Sequence, residues 1–371
     1  MSANSLLTFG LMCLPTLSDG SVNFDECCSL FDTFIDHGFN RFDTAVIYHN
    51  GQSEEAVQRC LAKRYSRDKF RIAHKLSSWK VPQEVKAIDF FNKQLQDCGV
   101  DFFDHYLLHS VEEKTLPDAE NRKFIDFILE QKSKGLIKEA GFSFHGTPEL
   151  LEEMFNKYPE FDFVQLQINY LDWDAPNVQS GKCHEIAVKN NKRILVMEPV
   201  KGGHLANLHP QAAQILKTFN PNASCASWAI RFAASLPNVE SVLSGMSNMD
   251  QLQDNMSLME NFQPLSDKEL EKIGEVRAFM KSIPLVECTK CNYCTNECPL
   301  ELPIPSYIAN LNQIQLYGNS PIVKRNFLTN IAKHHPNECV TCHCCTAVCP
   351  QHLDIPGHLD RLTRLTKDWQ K

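Results

Sequence analysis

Residues 42–48 read Phe42-Asp43-Thr44-Ala45-Val46-Ile47-Tyr48, an apolar run that is interrupted by a carboxylate and ends in a phenol. A phenol has an ordinary pKa of about 10, so it donates a proton poorly at neutral pH unless a nearby ammonium favours the phenolate. Such an ammonium and an imidazole end the next two apolar runs, as Lys75 and His109. We predict that Asp43, Tyr48, Lys75 and His109, called the tetrad below, form one proton-donating site in which Lys75 lowers the pKa of Tyr48.

The tetrad belongs to a longer alternation of apolar, β-rich runs with amphipathic helical patterns over about 260 residues. Strand-then-helix units repeated eight times are typical of an α/β protein with a (β/α)8 TIM barrel. A doubly wound open sheet is the alternative, but no Gly-x-Gly-x-x-Gly follows the first run. Barrel enzymes place their catalytic residues at the C-terminal ends of strands, where the tetrad falls. The predicted strands are Phe9–Leu14, Arg41–Ile47, Phe70–Lys75, Phe102–His109, Lys138–Ser143, Phe163–Ile168, Arg193–Glu198 and Val239–Ser244.

Composition limits the classes of function. The net charge is −8 and the pI about 6.0, and no basic block is present, so we expect no nucleic-acid partner. The sequence has no apolar run of about 18 residues and no signal-peptide pattern, so we expect no membrane span and a cytoplasmic protein. Nine of the 16 cysteines follow residue 287, which marks a domain boundary. Clustered cysteines without a secretion signal indicate metal ligands rather than disulfides.

The late cysteines form the pattern C-x2-C-x2-C-x3-C-P twice, beginning at Cys288 and at Cys339. In two-cluster ferredoxins this run supplies three ligands to one [4Fe–4S] cluster and the fourth ligand to the other. The first cluster would then be held by Cys288, Cys291, Cys294 and Cys349, and the second by Cys339, Cys342, Cys345 and Cys298. Zinc is the rival metal, and Cys344 is left over. We predict that most of the remaining cysteines are inert thiols in the core: Cys13, Cys27, Cys28, Cys60, Cys98, Cys183 and Cys225.

Taken together, these patterns predict a TIM barrel over residues 1–262, a linker helix over 263–285 and a small, mostly α-helical ferredoxin-like domain over 286–371. Predicted helices connect the two cysteine runs. This arrangement of the second domain is similar to the helical ferredoxin modules of reductase complexes.

The barrel segment, roughly residues 5–260, resembles the aldo-keto reductase family in its motifs. The likeness rests on the tetrad, on Gly51-x-Ser53-Glu54, and on shorter matches at the first, fifth, sixth, seventh and eighth strands. The resemblance implies a nicotinamide-dependent carbonyl reductase in which Tyr48 is the general acid, Lys75 lowers its pKa, Asp43 holds Lys75 and His109 orients the carbonyl. With the cysteine runs added, the whole chain resembles the iron–sulfur branch of that family.

The same resemblance implies where NADPH or NADH would bind. Ser143 and Gln165 would contact the nicotinamide carboxamide, and Asn255 would face the adenine end. The basic residues that often bind the adenosine 2′-phosphate in the family are replaced here by Gly245 and Gln251. The full set of implied cofactor contacts is Gly10, Met12, Asp43, Ser143, Gln165, Glu198, Pro199, Gly245, Asp254 and Asn255.

The leading hypothesis is carbonyl reduction or alcohol oxidation of a small molecule in the barrel. The clusters would exchange electrons with a redox partner protein or stabilise the fold, since nicotinamide delivers a hydride whereas a cluster passes single electrons. One alternative is an electron-transfer or assembly protein that uses the barrel as a docking scaffold. Another is a reductase in which a flavin takes electrons from the clusters, although no flavin motif is visible in the sequence.

Overall fold

In the computed structural model, which describes residues 6–331 and 333–369, eight parallel strands close into a barrel. Each strand pairs with the next in sequence and β8 pairs with β1, so the predicted TIM barrel is confirmed. Residues 1–5, 332, 370 and 371, which the predicted domains include, lie outside the described residues. The strands are β1 Leu7–Gly10, β2 Arg41–Asp43, β3 Arg71–Leu76, β4 Phe103–Val111, β5 Ile137–Phe144, β6 Phe163–Gln167, β7 Arg193–Met197 and β8 Val239–Ser244.

Helices follow the strands, and some of them begin at a residue whose side chain caps the first turn. Asn23 accepts a hydrogen bond from the Glu26 N–H, and Thr147 caps a helix that has Pro148 in its first turn. Within the barrel segment the helices are α1 Phe24–Asp36, α2 Gln52–Val57, α3 Ala87–Cys98, α4 Leu116–Asn121, α5 Phe124–Ser133, α6 Pro148–Lys157, α7 Ser180–Lys189, α8 Pro210–Phe219, α9 Cys225–Ala234 and α10 Met249–Glu260. They continue as α11 Asp267–Ser282, α12 Tyr293–Asn296, α13 Ile304–Tyr317, α14 Pro321–Asn330, α15 Cys344–Ala347 and α16 Ile355–Leu365.

The first two strands are shorter than predicted. β1 ends at Gly10, where a 3-10 turn over Leu11–Cys13 begins, and β2 ends at Asp43. Leu11 and Ala45 lie beyond these ends and are fully buried. Apolar residues therefore continue past the last paired residue because the loops at this end of the barrel also pack inward.

A layer of apolar side chains fills the barrel interior: Ala73, Leu107, Phe163, Leu195 and Leu243. A glycine makes room for the aromatic member of this layer. A Cβ at Gly141 would lie 2.5 Å from the Phe163 ring, so no larger residue fits at that position.

A network of charged side chains closes the end of the barrel at which the strands begin. Arg41 Nη1 lies 2.6 Å from Glu240 Oε1, and Arg193 Nη1 lies 2.9 Å from the other Glu240 oxygen and 3.0 Å from Glu139. His105 Nε2 lies 2.9 Å from Glu139. Burial works against the Glu240 carboxylate, but its contacts with His105 and Arg41 outweigh burial and lower its pKa to about 2.

We expect Glu240→Gln to destabilise the barrel by about 3–5 kcal/mol, because it leaves Arg41 buried without its counter-charge. Since the folded state lowers the pKa of Glu240, this stabilisation is fully present above about pH 4.5 and is lost as the pH falls through 2. Denaturation followed by circular dichroism measures the difference. The control is Glu152→Gln, which removes an exposed ion pair with Lys189 and should cost less than about 1 kcal/mol. Equal effects of the two substitutions would contradict the prediction.

Two of the seven scattered cysteines are not free thiols. Cys28 in α1 and Cys60 in a π-helical turn over Gln58–Ala62 form a disulfide across 32 residues of sequence. Their spacing gives no sign that α1 and this turn pack together, which is why sequence reasoning missed the bond.

The chain divides into two compact units. The first contains the barrel strands and comprises the chain through Lys201 together with Ser227–Ser266. The second comprises Gly202–Ala226 and the chain from Asp267 onward. The predicted boundaries at residues 262 and 285 stay predictions.

Gly202–Ala226 follows β7 in sequence, yet its side chains pack within the second unit. The His204 ring stacks on Tyr317 with 4.2 Å between centroids, and α8 packs against α11. A Cβ at Gly203 would lie 2.5 Å from Ile322 Cδ1, which shows how closely this segment approaches α14.

Candidate functional site

The tetrad is assembled at the C-terminal ends of three neighbouring strands. Asp43 is the last residue of β2, Lys75 lies near the end of β3 and His109 lies near the end of β4. Tyr48 begins a 3-10 turn that follows β2. The structure thus brings together the four residues that the sequence singled out, at the end of the barrel where such enzymes carry their chemistry.

Lys75 is the centre of this arrangement. Its ammonium is buried and donates hydrogen bonds to an Asp43 carboxylate oxygen and, at 2.9 Å, to the Thr44 carbonyl. It also lies 4.9 Å from the centroid of the Tyr48 ring. The second Asp43 oxygen accepts from Gln165 Nε2 at 3.3 Å. The carboxylate therefore fixes the ammonium, and the ammonium faces the phenol.

Lys75 lowers the pKa of Tyr48, as predicted, but it is not the largest influence on that pKa. Burial raises the pKa of Tyr48 above its ordinary value, and the opposing effect of Lys75 does not overcome it. Burial likewise opposes the charge of Lys75, but Asp43 and then Tyr48 outweigh it and raise the Lys75 pKa. The site thus holds a neutral phenol next to a charged ammonium.

His109 is neutral in this site. Burial, followed by the charge of Lys75, lowers the pKa of His109 to about 2. Its Nδ1 lies 2.6 Å from Ser77 Oγ, and the Trp79 ring packs against it with 5.2 Å between centroids. If the Ser77 hydroxyl donates to Nδ1, Nε2 carries the proton and can donate it to a ligand. Sequence reasoning missed Ser77 and Trp79, whose signal is their place just after Lys75.

The implied cofactor residues lie on several loops at the same end of the barrel. Gly10 ends β1, Met12 is exposed in the following turn, and Glu198 and Pro199 follow β7. Glu198 has a φ of 56°, which marks a sharp turn there. Asp254 lies in α10, outside the barrel wall.

The remaining implied contacts are held by hydrogen bonds or close packing. Ser143 Oγ accepts from the Ser110 N–H at 2.7 Å, so its own proton stays available to a ligand. The buried Asn255 donates to Ser244 Oγ at 2.9 Å. A Cβ at Gly245 would lie 2.8 Å from the Cys13 Cβ, so this position requires glycine.

A further polar cluster follows β6 and β7 and was not predicted. The buried Asp172 carboxylate accepts from Lys201 Nζ, from Asn169 Nδ2 at 2.8 Å and from Gln167 Nε2 at 3.1 Å. Asn169 also donates to the Glu198 carbonyl at 3.2 Å and so connects the loops after these two strands. The signal in the sequence was the pattern Gln-x-Asn-x-x-Asp directly after an apolar run.

The cysteine runs line two separate cavities. One cavity is lined by Cys288, Cys291, Cys294 and Cys349, and the other by Cys298, Cys339, Cys342 and Cys345. Each cavity thus combines three cysteines of one run with the fourth cysteine of the other. Cys344 lines neither. Four thiols around one cavity are the donor set that a [4Fe–4S] cluster requires.

No helix within residues 6–331 and 333–369 is both long and apolar enough to cross a membrane.

Comparisons with known proteins agree with the barrel fold and with a cluster-binding domain. Among solved structures, the aldo-keto reductase AKR11C1 from Bacillus halodurans (holo form) has a TM-score of 0.59 at 21% identity, covering 73% of this chain and 91% of that one. An aldo-keto reductase from Klebsiella pneumoniae in complex with NADPH has a TM-score of 0.59 at 16% identity, covering 73% and 90%. These likenesses concern the fold.

Among curated proteins, a probable voltage-gated potassium channel subunit beta of Arabidopsis thaliana is 23% identical over 316 residues, which are 74% of this chain and 92% of the relative. The uncharacterized oxidoreductase YqkF of Bacillus subtilis is 23% identical over 279 residues, covering 67% and 87%. The family model of the 4Fe-4S dicluster domain matches residues 287–353, and that of the aldo/keto reductase family matches residues 6–278. The chain therefore belongs to the aldo/keto reductase family of oxidoreductases and carries a dicluster domain after its barrel.

Proposed function

We propose that the barrel reduces the carbonyl group of a small molecule, or oxidises the corresponding alcohol, with NADH or NADPH as the hydride carrier. The observation that carries this proposal is the placement of Lys75 between the Asp43 carboxylate and the Tyr48 ring, next to a neutral His109. A buried ammonium held by a carboxylate and aimed at a phenol suits proton transfer to a developing alkoxide.

Each member of the tetrad then has a defined task. The bound nicotinamide supplies the hydride. Tyr48 donates its hydroxyl proton to the carbonyl oxygen, and Lys75 stabilises the phenolate that remains. His109 donates a hydrogen bond from Nε2 to the same oxygen, because Ser77 occupies Nδ1. Asp43 touches no substrate in this scheme and positions Lys75.

We expect kcat/KM for carbonyl reduction to stay level from about pH 5 to about pH 9, because neither titratable partner of the substrate oxygen changes charge there. The pKa of His109 lies at about 2. The pKa of Tyr48 is raised, which extends the pH range of its active, protonated form upward. Steady-state rates at saturating cofactor measure the profile. A fall in rate centred near neutral pH would contradict this account.

For the cofactor, we propose that Ser143 and Gln165 contact the nicotinamide carboxamide, as the family resemblance implies. The rest of the cofactor would lie along the strand ends, in contact with Gly10, Met12, Glu198, Pro199 and Gly245. Asp254 and Asn255 would face the adenine end.

We expect NADH to bind at least as tightly as NADPH, since no Lys or Arg lies between residues 245 and 260. Gln251, which takes the place of a basic residue in the family, accepts a hydrogen bond from the Ser247 N–H at 2.8 Å. Gln251→Arg should tighten NADPH binding roughly tenfold through a charge-assisted contact with the 2′-phosphate and leave NADH unchanged. Fluorescence titration measures both affinities. A strong preference of the wild type for NADPH would contradict this expectation, because it would show that a cation elsewhere in the chain binds the 2′-phosphate.

We further propose that each cysteine-lined cavity holds one [4Fe–4S] cluster, with the ligand sets given above, and that the clusters exchange electrons with a redox partner protein. Cys291 and Cys342 are exposed, and Cys294 and Cys345 are buried. Each cluster would therefore lie close to the protein surface, where a partner can accept or supply single electrons. Thiolate ligands in C-x2-C-x2-C-x3-C-P runs fit iron–sulfur clusters better than tetrahedral zinc.

Anaerobic purification tests both parts of the proposal. We expect about eight iron and eight sulfide atoms per chain from two [4Fe–4S] clusters, together with saturable nicotinamide binding and nicotinamide oxidation when aldehydes and ketones are added. Zinc in place of iron would overturn the cluster assignment. Failure to bind either nucleotide would favour a protein whose barrel serves only as a scaffold.

A further inference from the structure

Three potential metal ligands meet outside the barrel wall, behind the catalytic lysine. Glu54 comes from α2, His74 from β3 and Cys98 from the end of α3. Successive side chains of a strand point to opposite faces, so His74 points away from the barrel interior that Lys75 faces. One ligand atom from each of the three residues lies within 4.8 Å of the other two. All three side chains are buried.

The Glu54 carboxylate has an imidazole as its partner in this cluster. Glu54 Oε1 lies 3.0 Å from His74 Nε2, and among the described residues no Lys or Arg lies within ion-pair distance of this carboxylate. A buried carboxylate without a cation is costly. The other His/Glu cluster of the barrel differs, because Arg41 and Arg193 neutralise its carboxylates.

We propose that Glu54, His74 and Cys98 bind a divalent d-block cation, with zinc the best match. Carboxylate, imidazole and thiolate are all zinc ligands, and a water can complete four-coordination. On binding, the Cys98 thiol gives its proton to solvent and its sulfur bonds the metal. Two anionic ligands and Zn²⁺ sum to zero, so the occupied site is a neutral buried unit.

Nε2 of the His74 ring is the nitrogen that would bind the metal. Nδ1 of the same ring accepts a hydrogen bond from the Lys75 N–H at 2.6 Å and lies 3.3 Å from the Lys75 carbonyl oxygen. On metal binding at Nε2 the ring proton would reside on Nδ1, which would then donate to that carbonyl in place of accepting from the N–H, a common arrangement for metal-bound histidines. Gln94 donates to the same carbonyl at 3.0 Å. Metal occupancy would therefore fix the backbone that carries the catalytic lysine.

Zinc and iron analysis of the holoenzyme, dialysed after incubation with zinc, tests the proposal. We expect about one tightly held zinc per chain, lost in Cys98→Ser and in His74→Ala while the iron content is unchanged. The matched control is Cys183→Ser, a buried thiol outside the cluster, which should keep the zinc. Zinc that persists in both cluster variants, or absence of zinc from the wild type, would overturn the proposal.

X-ray absorption at the zinc edge of the wild type gives a second readout that needs no variant to fold. The proposal requires one sulfur and otherwise nitrogen and oxygen around the metal. A shell of sulfur alone would place the zinc in the cysteine cavities instead and would also overturn it.

Discussion

Tyr48→Phe should lower kcat for carbonyl reduction by about 10²–10⁴-fold, the range that a positioned general acid contributes. The substitution removes the hydroxyl and keeps the ring, so packing against Lys75 and His109 is retained. Nicotinamide binding should be unchanged, because the hydroxyl serves the substrate oxygen. Stopped-flow reduction and a parallel binding titration separate the two effects.

Lys75→Met completes this test, because it removes the charge that stabilises the phenolate but leaves the Tyr48 hydroxyl in place. We expect a loss of similar size. The variant should also be less stable than the wild type, because Asp43 becomes a buried carboxylate without a cation. The matched control is Tyr65→Phe. The Tyr65 hydroxyl bonds Asp32, away from the tetrad, so its removal should leave the rate unchanged. Full activity of Tyr48→Phe would show that Tyr48 is not the general acid.

The second large effect concerns two adjacent cysteines. Cys345→Ala should remove one cluster and halve the iron content, from about eight to about four atoms per chain. Cys344→Ala should leave it unchanged, because Cys344 lines neither cavity. Iron analysis after anaerobic purification compares the two variants. Equal losses would show that the cavities do not define the ligands.

Double variants test whether the two runs share their fourth ligands. Cys345→Ala with Cys298→Ala should keep about four iron atoms, because both residues line the same cavity. Cys345→Ala with Cys349→Ala should lose nearly all iron, because Cys349 lines the other cavity. The reverse order of iron contents would assign each run to its own cluster.

The same variants ask whether the clusters take part in turnover. If hydride transfer in the barrel needs only the nicotinamide, Cys345→Ala should retain its rate with NADH or NADPH. A loss of turnover in a variant that still binds nucleotide would reject independent modules and favour electron flow through the clusters.

Local patterns made much of this site predictable. The tetrad could be found because each member ends an apolar run, and parallel strands in a barrel bring their C-terminal ends together. The cysteine cavities follow a spacing rule contained in two short segments. Other contacts depend on how distant segments pack. They are the contact between Ser77 and His109, the hydrogen bonds of Asp172 and the disulfide of Cys28 with Cys60. Sequence spacing alone does not report those contacts.

The net pKa shift of Tyr48 could not be predicted from the sequence for a related reason. From the sequence, the ammonium of Lys75 is the visible influence on the phenol. Burial is the larger one, and it depends on all the side chains that surround the ring. The sequence indicated which residues meet, whereas the sign of the pKa shift depended on how much water reaches them.

The packing of Gly202–Ala226 has a consequence for any attempt to separate the barrel from the cysteine-rich segment by truncation. A fragment that stops at residue 262 would retain this segment but lose Tyr317, Ile322 and α11, against which it packs. Its Leu205 and Leu216, both buried in the intact chain, would be left facing water. A single cut at this point therefore removes the packing partners of a segment that lies earlier in the chain, so we expect the shortened chain to be less stable than the full one.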